Sequence, residues 1–156
     1  MKSDAKIHEL LNEVLTAELT AVNQYFIHAR MMKNWGFLRL AEHERKESID
    51  EMKHAQQVMD RILYLEGVPN MQRYWKVNVG ETVPEQFAAD LELEYQAVKR
   101  LNDAVTACRA AGDHGTAELL EEILASEEEH VDWIETQLGM IKQLGANAYL
   151  AEHIHE

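Results

Sequence analysis

One arrangement of acidic residues and histidines occurs twice in this chain and dictates how it can fold. Glu18, Glu51 and His54 reappear 76 residues later as Glu94, Glu127 and His130. Each half supplies a lone glutamate and a Glu-x-x-His pair, and the i, i+3 spacing puts both members of such a pair on one helix face. In an antiparallel helical hairpin, residues equidistant from the turn lie at one height. Midway between Glu18 and His54 stands Gly36, and midway between Glu94 and His130 stands Gly112. Glycine is the residue best suited to leave a helix in the left-handed conformation. The pattern therefore calls for two helical hairpins, each with three ligand-type side chains at mid-height. Packed face to face, the hairpins enclose all six. Four carboxylates and two imidazoles suit a pair of transition-metal ions, because carboxylates bridge cations while imidazoles complete each coordination sphere.

Composition agrees with a few long helices. Of 156 residues only 2 are proline and 7 glycine, too few for the turns of a many-stranded fold, while 46% are hydrophobic, enough for one substantial core. We therefore expect a single all-α domain over residues 1–156. A net charge of −13 argues against nucleic acid or an anionic membrane as partner and favours attraction of cations. The single cysteine, Cys108, excludes an intrachain disulfide framework and fits a reducing compartment. The first residues, MKSDAKIHELLNEVL, contain no continuous apolar stretch of the kind a signal peptide needs. A soluble, cytoplasmic protein is expected.

The first helix should begin after Ser3 or Asp4, either of which can cap it, and end near residue 35. A second is expected over 38–66, stopped by Gly67 and Pro69. Thr82, Pro84 and Glu85 form the start of a third, with Thr82 as cap and Glu85 closing a capping box, and this helix ends near Gly112. A fourth runs over 116–144, broken at Gly145, and a short fifth over 147–153. The segment between Gly67 and Glu81 can span roughly 45–50 Å when extended. That length permits a crossover along the bundle and makes the second and third helices parallel.

Several stretches resemble one family. The six residues above match the centre of ferritin-like di-iron bundles, with one Glu from each of two helices and Glu-x-x-His from the other two. NQYFIHARM (23–31), WGF (35–37), ESIDEMKHA (47–55), RILYLEGVPN (61–70), SEEEH (126–130) and QLGMI (137–141) are similar to bacterioferritins, over essentially the whole chain. The resemblance implies a ferritin-like four-helix bundle with a long crossover between its second and third helices and a short fifth helix. It implies a ferroxidase that turns Fe(II) into stored ferric mineral with O2 or H2O2, two iron ions per subunit, and Glu51 and Glu127 as the bridging carboxylates. It also implies a shell of twenty-four subunits, open to mixing with a second ferritin subunit, and electrons delivered by a bacterioferritin-associated ferredoxin to release iron. Haem b would lie between two subunits. The resemblance makes Met52 the expected haem ligand. Helix geometry by itself places it only on the outer face, since a residue next to Glu51 is rotated about 100° from the bundle interior. There a two-fold axis can set two copies face to face, or Met52 can serve a plain subunit interface. Leu19, Phe26, Met31 and Trp35 are expected to supply an apolar patch around it.

The chain departs from the usual pattern at Lys46, where relatives carry a histidine beside Asp50, at Arg45, where a tyrosine is frequent, and at Ala148, where asparagine is common. A rubrerythrin-type oxidase would need paired Cys-x-x-Cys motifs that one cysteine cannot supply, and a haem-free ferritin would not require Met52. Tyr25, seven residues beyond Glu18, shares its face and can reach a ligand carboxylate or serve the core. Trp133 is expected in the core, and His28, His43, His114, His153 and His155 at the surface.

Overall fold

The computed structural model describes residues 4–155. Four long helices follow in order: α1 (Ala5–Asn34), α2 (Leu38–Tyr64), α3 (Val83–Ala110) and α4 (His114–Leu144), with the short α5 (Ala146–Ala151) at the end. α1 packs along α2 and α3 along α4. The two hairpins then meet through α1 on α3 and α2 on α4, while α5 folds back on α4. Among the described residues no helix is long and apolar enough to cross a membrane.

The helix ends follow from local chemistry. Asp4 caps α1, its carboxylate accepting from the Lys6 amide at 2.7 Å; Ser3, the other candidate, lies outside the described residues. Gly36 (φ 91) and Gly112 (φ 76) are both left-handed. At the first turn the Phe37 amide donates to the Met32 carbonyl and Gly36 to Lys33, and at the second Asp113 donates to Cys108 and Gly112 to Arg109. These paired bonds satisfy carbonyls that a helix C-terminus otherwise leaves open.

The end of α2 corrects the expectation. The helix stops at Tyr64, two residues short of 66, and the left-handed residue is Glu66 (φ 62). Gly67 serves packing instead, since a Cβ on it would meet Ile62 at 3.0 Å and His8 at 3.1 Å. The α3 cap is also shifted by one bond. Thr82 accepts from the Glu85 amide as expected, but the Glu85 carboxylate accepts from Glu81 rather than from Thr82. α4 starts two residues early because Asp113 caps it, accepting from the Thr116 amide at 3.0 Å.

The crossover, residues 65–82, has no regular structure of its own and lies as a strap along α1. A row of α1 side chains spaced by four residues pins it. His8 Nε2 contacts the Leu65 carbonyl (2.9 Å), Asn12 accepts from the Asn70 amide (2.8 Å), Thr20 from Trp75 (3.0 Å), Gln24 from Asn78 (3.1 Å) and His28 from Gly80 (3.1 Å). Residues four apart stack along one helix face, so one stripe satisfies amides that an extended strap cannot pair with itself.

Two apolar clusters flank the middle of the bundle. One holds Leu11, Leu15, Val58, Ile62, Leu101 and Leu120; the other holds Met32, Leu40, Phe87, Ile134 and Tyr149. Burying each such side chain contributes roughly 1.5–3 kcal/mol, so the helices are held at both ends. Between the clusters lies a belt of buried polar residues.

Candidate metal centre

The six side chains singled out by the repeat converge in that belt. Glu18, Glu51, Glu94, Glu127 and His130 are buried, and the His54 side chain is 12% exposed. They fall into two overlapping groups, each with ligand atoms within 4.8 Å of one another. One is Glu18, Glu51, His54 and Glu127; the other is Glu51, Glu94, Glu127 and His130. Glu51 and Glu127 are shared by both. His54 Nδ1 lies 3.0 Å from Glu127 and 3.6 Å from Glu18, and His130 Nδ1 lies 3.1 Å from Glu51 and 3.7 Å from Glu94. Both imidazoles thus turn Nδ1 toward the carboxylates.

The donor set is what a pair of cations requires. Glu18 Oε2, both oxygens of Glu51, Glu94 Oε2, Glu127 Oε1 and both Nδ1 atoms are buried without a properly aligned hydrogen bond. Buried polar atoms are rarely left so unless an ion or water completes them. Burial, then repulsion from Glu18 and Glu94, pushes the Glu51 carboxyl up to about 8. Burial and neighbouring carboxylates likewise raise Glu18, Glu127 and, most strongly, Glu94. Burial by itself would lower the His54 imidazole, but the close carboxylates of Glu127, Glu18 and Glu51 outweigh it and raise the group to about 12. His130 is likewise raised by Glu47, Glu51 and Glu94 against the same burial. Metal ions entering this site displace protons.

Tyr25 is buried and donates to Glu94 Oε1 at 2.5 Å. Of the two roles open to it, contact with a cluster carboxylate is the one the geometry supports. Behind His130 stands a residue that the duplicated pattern does not mark. Glu47 Oε2 is in close contact with His130 Nε2, and Glu47 Oε1 lies 3.1 Å from His43 Nε2. Burial opposes its ionisation, yet bonds to His130 and His43 pull the Glu47 carboxyl down to about 2. The His43 ring stacks on Trp133, centroids 3.5 Å apart. The α2 series Glu44, Glu47, Glu51, His54 has the 3–4–3 spacing of one helix face, and that was the available signal.

Three histidines expected at the surface are not there. His43 is half-buried against Trp133, and His153 is half-buried beside Tyr149, ring centroids 4.4 Å apart. His28 is fully buried, with Nδ1 2.9 Å from Asp90 Oδ1, and Gln24 donates to the same oxygen at 2.9 Å. Glu44 joins His28 and Asp90 in a third compact group. That group is not a metal site in this arrangement. The Gly80 amide requires His28 Nε2 as its acceptor, so the ring proton sits on Nδ1 and faces Asp90. His114 and His155 are exposed as expected.

Met52 stands apart from the cluster, 54% exposed on the opposite side of α2, and Phe26 on α1 is 52% exposed. Met31 does not join them; its sulfur accepts from Gln86 on α3. A cleft of about 770 Å³ runs between α1 and α2, lined by Phe26, Arg30, Lys33, Arg39, Arg45 and Lys46 among others.

Comparison with known proteins agrees with this architecture. Residues 8–144 match the ferritin-like domain family. The chain is 52% identical to a bacterioferritin of Mycobacterium leprae and 51% identical to one of Mycolicibacterium paratuberculosis, each over 97% of this chain and 96% of the relative. It is 48% identical to a bacterioferritin of Streptomyces coelicolor over 100% of this chain and 93% of the relative. With a bundle, a crossover and a relationship of that extent, the chain belongs to the bacterioferritins of the ferritin-like family.

Proposed function

We propose that this chain oxidises Fe(II) to Fe(III) for storage, with Glu18, Glu51, His54, Glu94, Glu127 and His130 holding two iron ions as substrate. The observation that carries this reading is the pair of buried ligand groups sharing Glu51 and Glu127. Glu18 and His54 complete one position, Glu94 and His130 the other, and the shared carboxylates bridge. Each Fe(II) yields one electron. The two electrons and two protons convert H2O2 to two waters, or O2 to H2O2, and hydrolysis of Fe(III) then builds the mineral. Carboxylates offset the growing cation charge, while Tyr25 orients Glu94 from behind. The apolar clusters on either side of the ligands let the fold persist when one ligand is lost.

Haem b, shared between two subunits, fits the outer face of α2. Met52 would hold its iron through the thioether, a ligand that generally raises the potential of haem iron. Arg45 lies two turns before Met52 on the same face, about 10 Å along the helix, and the cationic side chains of the adjoining cleft suit acidic substituents. When bound, haem supplies one-electron transfer for iron release. A ferredoxin of the bacterioferritin-associated type would deliver those electrons. The working assembly in this reading is a cytoplasmic shell of twenty-four copies, alone or mixed with a second ferritin subunit. Its mass would be about 430 kDa, twenty-four times the 18.0 kDa chain.

Aerobic Fe(II) oxidation, followed by absorbance on the size-fractionated shell, tests the reading. Wild-type protein should oxidise iron rapidly, and Glu18→Ala and Glu94→Ala should elute as the same shell but lose the fast phase. Wild-type rates in both variants would sink the ligand assignment.

A further inference from the structure

The 76-residue repeat that relates the two ligand halves breaks down immediately behind the histidines. Behind His130 stand Glu47, in contact with Nε2, then His43, then Trp133 stacked on His43. The positions related to these three by the repeat are Ile123, Leu119 and Gln57. Ile123 is a buried member of the apolar core, and Leu119 packs against that same core. Ile123 and Gln57 line a polar cleft of about 300 Å³ between α2 and α4, whose wall includes His54 itself. One imidazole is therefore backed by a carboxylate and a stacked ring pair, while the other borders an isoleucine-lined open cleft.

A carboxylate on the far nitrogen of a metal-binding histidine locks the tautomer and ring orientation and raises ligand basicity, and losing it typically costs about 10–100-fold in metal affinity. The contact with Glu47 places the ring proton of His130 on Nε2 and leaves Nδ1 free for the metal. Nothing equivalent stands at position 123. We propose that Glu47 is a positioning residue that makes the two metal positions unequal. The position completed by His130 is the tight one, and the position completed by His54 binds weakly and exchanges its ion through the α2–α4 cleft. This rests on the two-metal reading above.

Anaerobic titration of the metal-free shell with Co(II), read by its visible ligand-field absorption, separates the alternatives without any turnover. Wild-type protein should take up two ions per subunit in two steps differing by about 10–100-fold. Glu47→Ala should weaken the tight step by that factor and leave the weak step in place, so the two merge. Glu47→Gln keeps an acceptor of the same shape without the charge, and should weaken the tight step by less. Should Glu47→Ala fail to assemble, Glu47→Gln carries the comparison. Two equal steps in the wild type would overturn the inequality while leaving the two-metal site intact. An unchanged tight step in the Glu47 variants, or equal weakening of both steps, would overturn the role of Glu47. Failure of the wild type to bind two Co(II) ions would instead remove the two-metal reading itself.

Discussion

Removing metal should make the protein progressively less stable as pH rises from about 5.5 to 8, and saturating metal should abolish that dependence. Glu51 titrates near 8 in the fold against 4.5 when unfolded. A group whose folded value is raised contributes stability that is complete below the unfolded value and is lost as pH climbs to the folded one. Glu18, Glu94 and Glu127 are shifted in the same direction. So is His54, which the fold holds protonated up to about 12 while the unfolded chain releases its proton near 6.5. Glu47, Asp113 and His153 act in the opposite sense; the two carboxylates' contribution is complete below this window, and that of His153 is complete once pH passes its unfolded value of 6.5. Glu51 by itself, fully buried, corresponds to about 1.4 kcal/mol per pH unit, or about 3 kcal/mol across the window. For a chain of this length that is a fall in midpoint on the order of 10 °C. Thermal unfolding of the chelator-treated shell at half-unit pH steps, repeated with excess Co(II), measures it. Glu51→Gln should flatten the metal-free curve. A metal-free midpoint that rises or stays level from pH 5.5 to 8 would refute the protonated-cluster account.

Three further outcomes are expected. His28→Ala strips an acceptor from the Gly80 amide and a donor from buried Asp90; it should cost about 2–4 kcal/mol, with hydrogen exchange at Gly80 accelerating well before that of the helix amides. Unchanged exchange at Gly80 would show that the strap is held elsewhere. Met52→Leu should lose or shift the haem absorption while initial Fe(II) oxidation is spared, whereas full haem content with an unchanged spectrum would exclude Met52 as ligand. Gly112→Ala meets no neighbour within 4 Å but must adopt φ 76; the left-handed backbone should cost about 1–2 kcal/mol, seen as a lower thermal midpoint with an unaltered number of bound Co(II) ions.

Whatever depended on short-range periodicity was legible in the sequence itself. Equal spacing of Glu18 and His54 about Gly36, and of Glu94 and His130 about Gly112, states the hairpins and the height of the centre together, because helix rise and turn chemistry are local. The same reasoning puts Met52 on the outer face, since one residue of helix is a rotation of about 100°. Pairings between distant segments were not legible. His28, read in isolation, is an ordinary surface histidine; only the strap brings Gly80 to one nitrogen and only α3 brings Asp90 to the other. Nor does the four-residue spacing of His8, Asn12, Thr20, Gln24 and His28 say by itself that a strap lies across them. Glu47 likewise looks like one charge among many on an acidic chain until α4 carries His130 against it. Tertiary packing decides these cases because the free energy of a buried polar group is set by the partner that meets it, and that partner lies some fifty or more residues away along the chain.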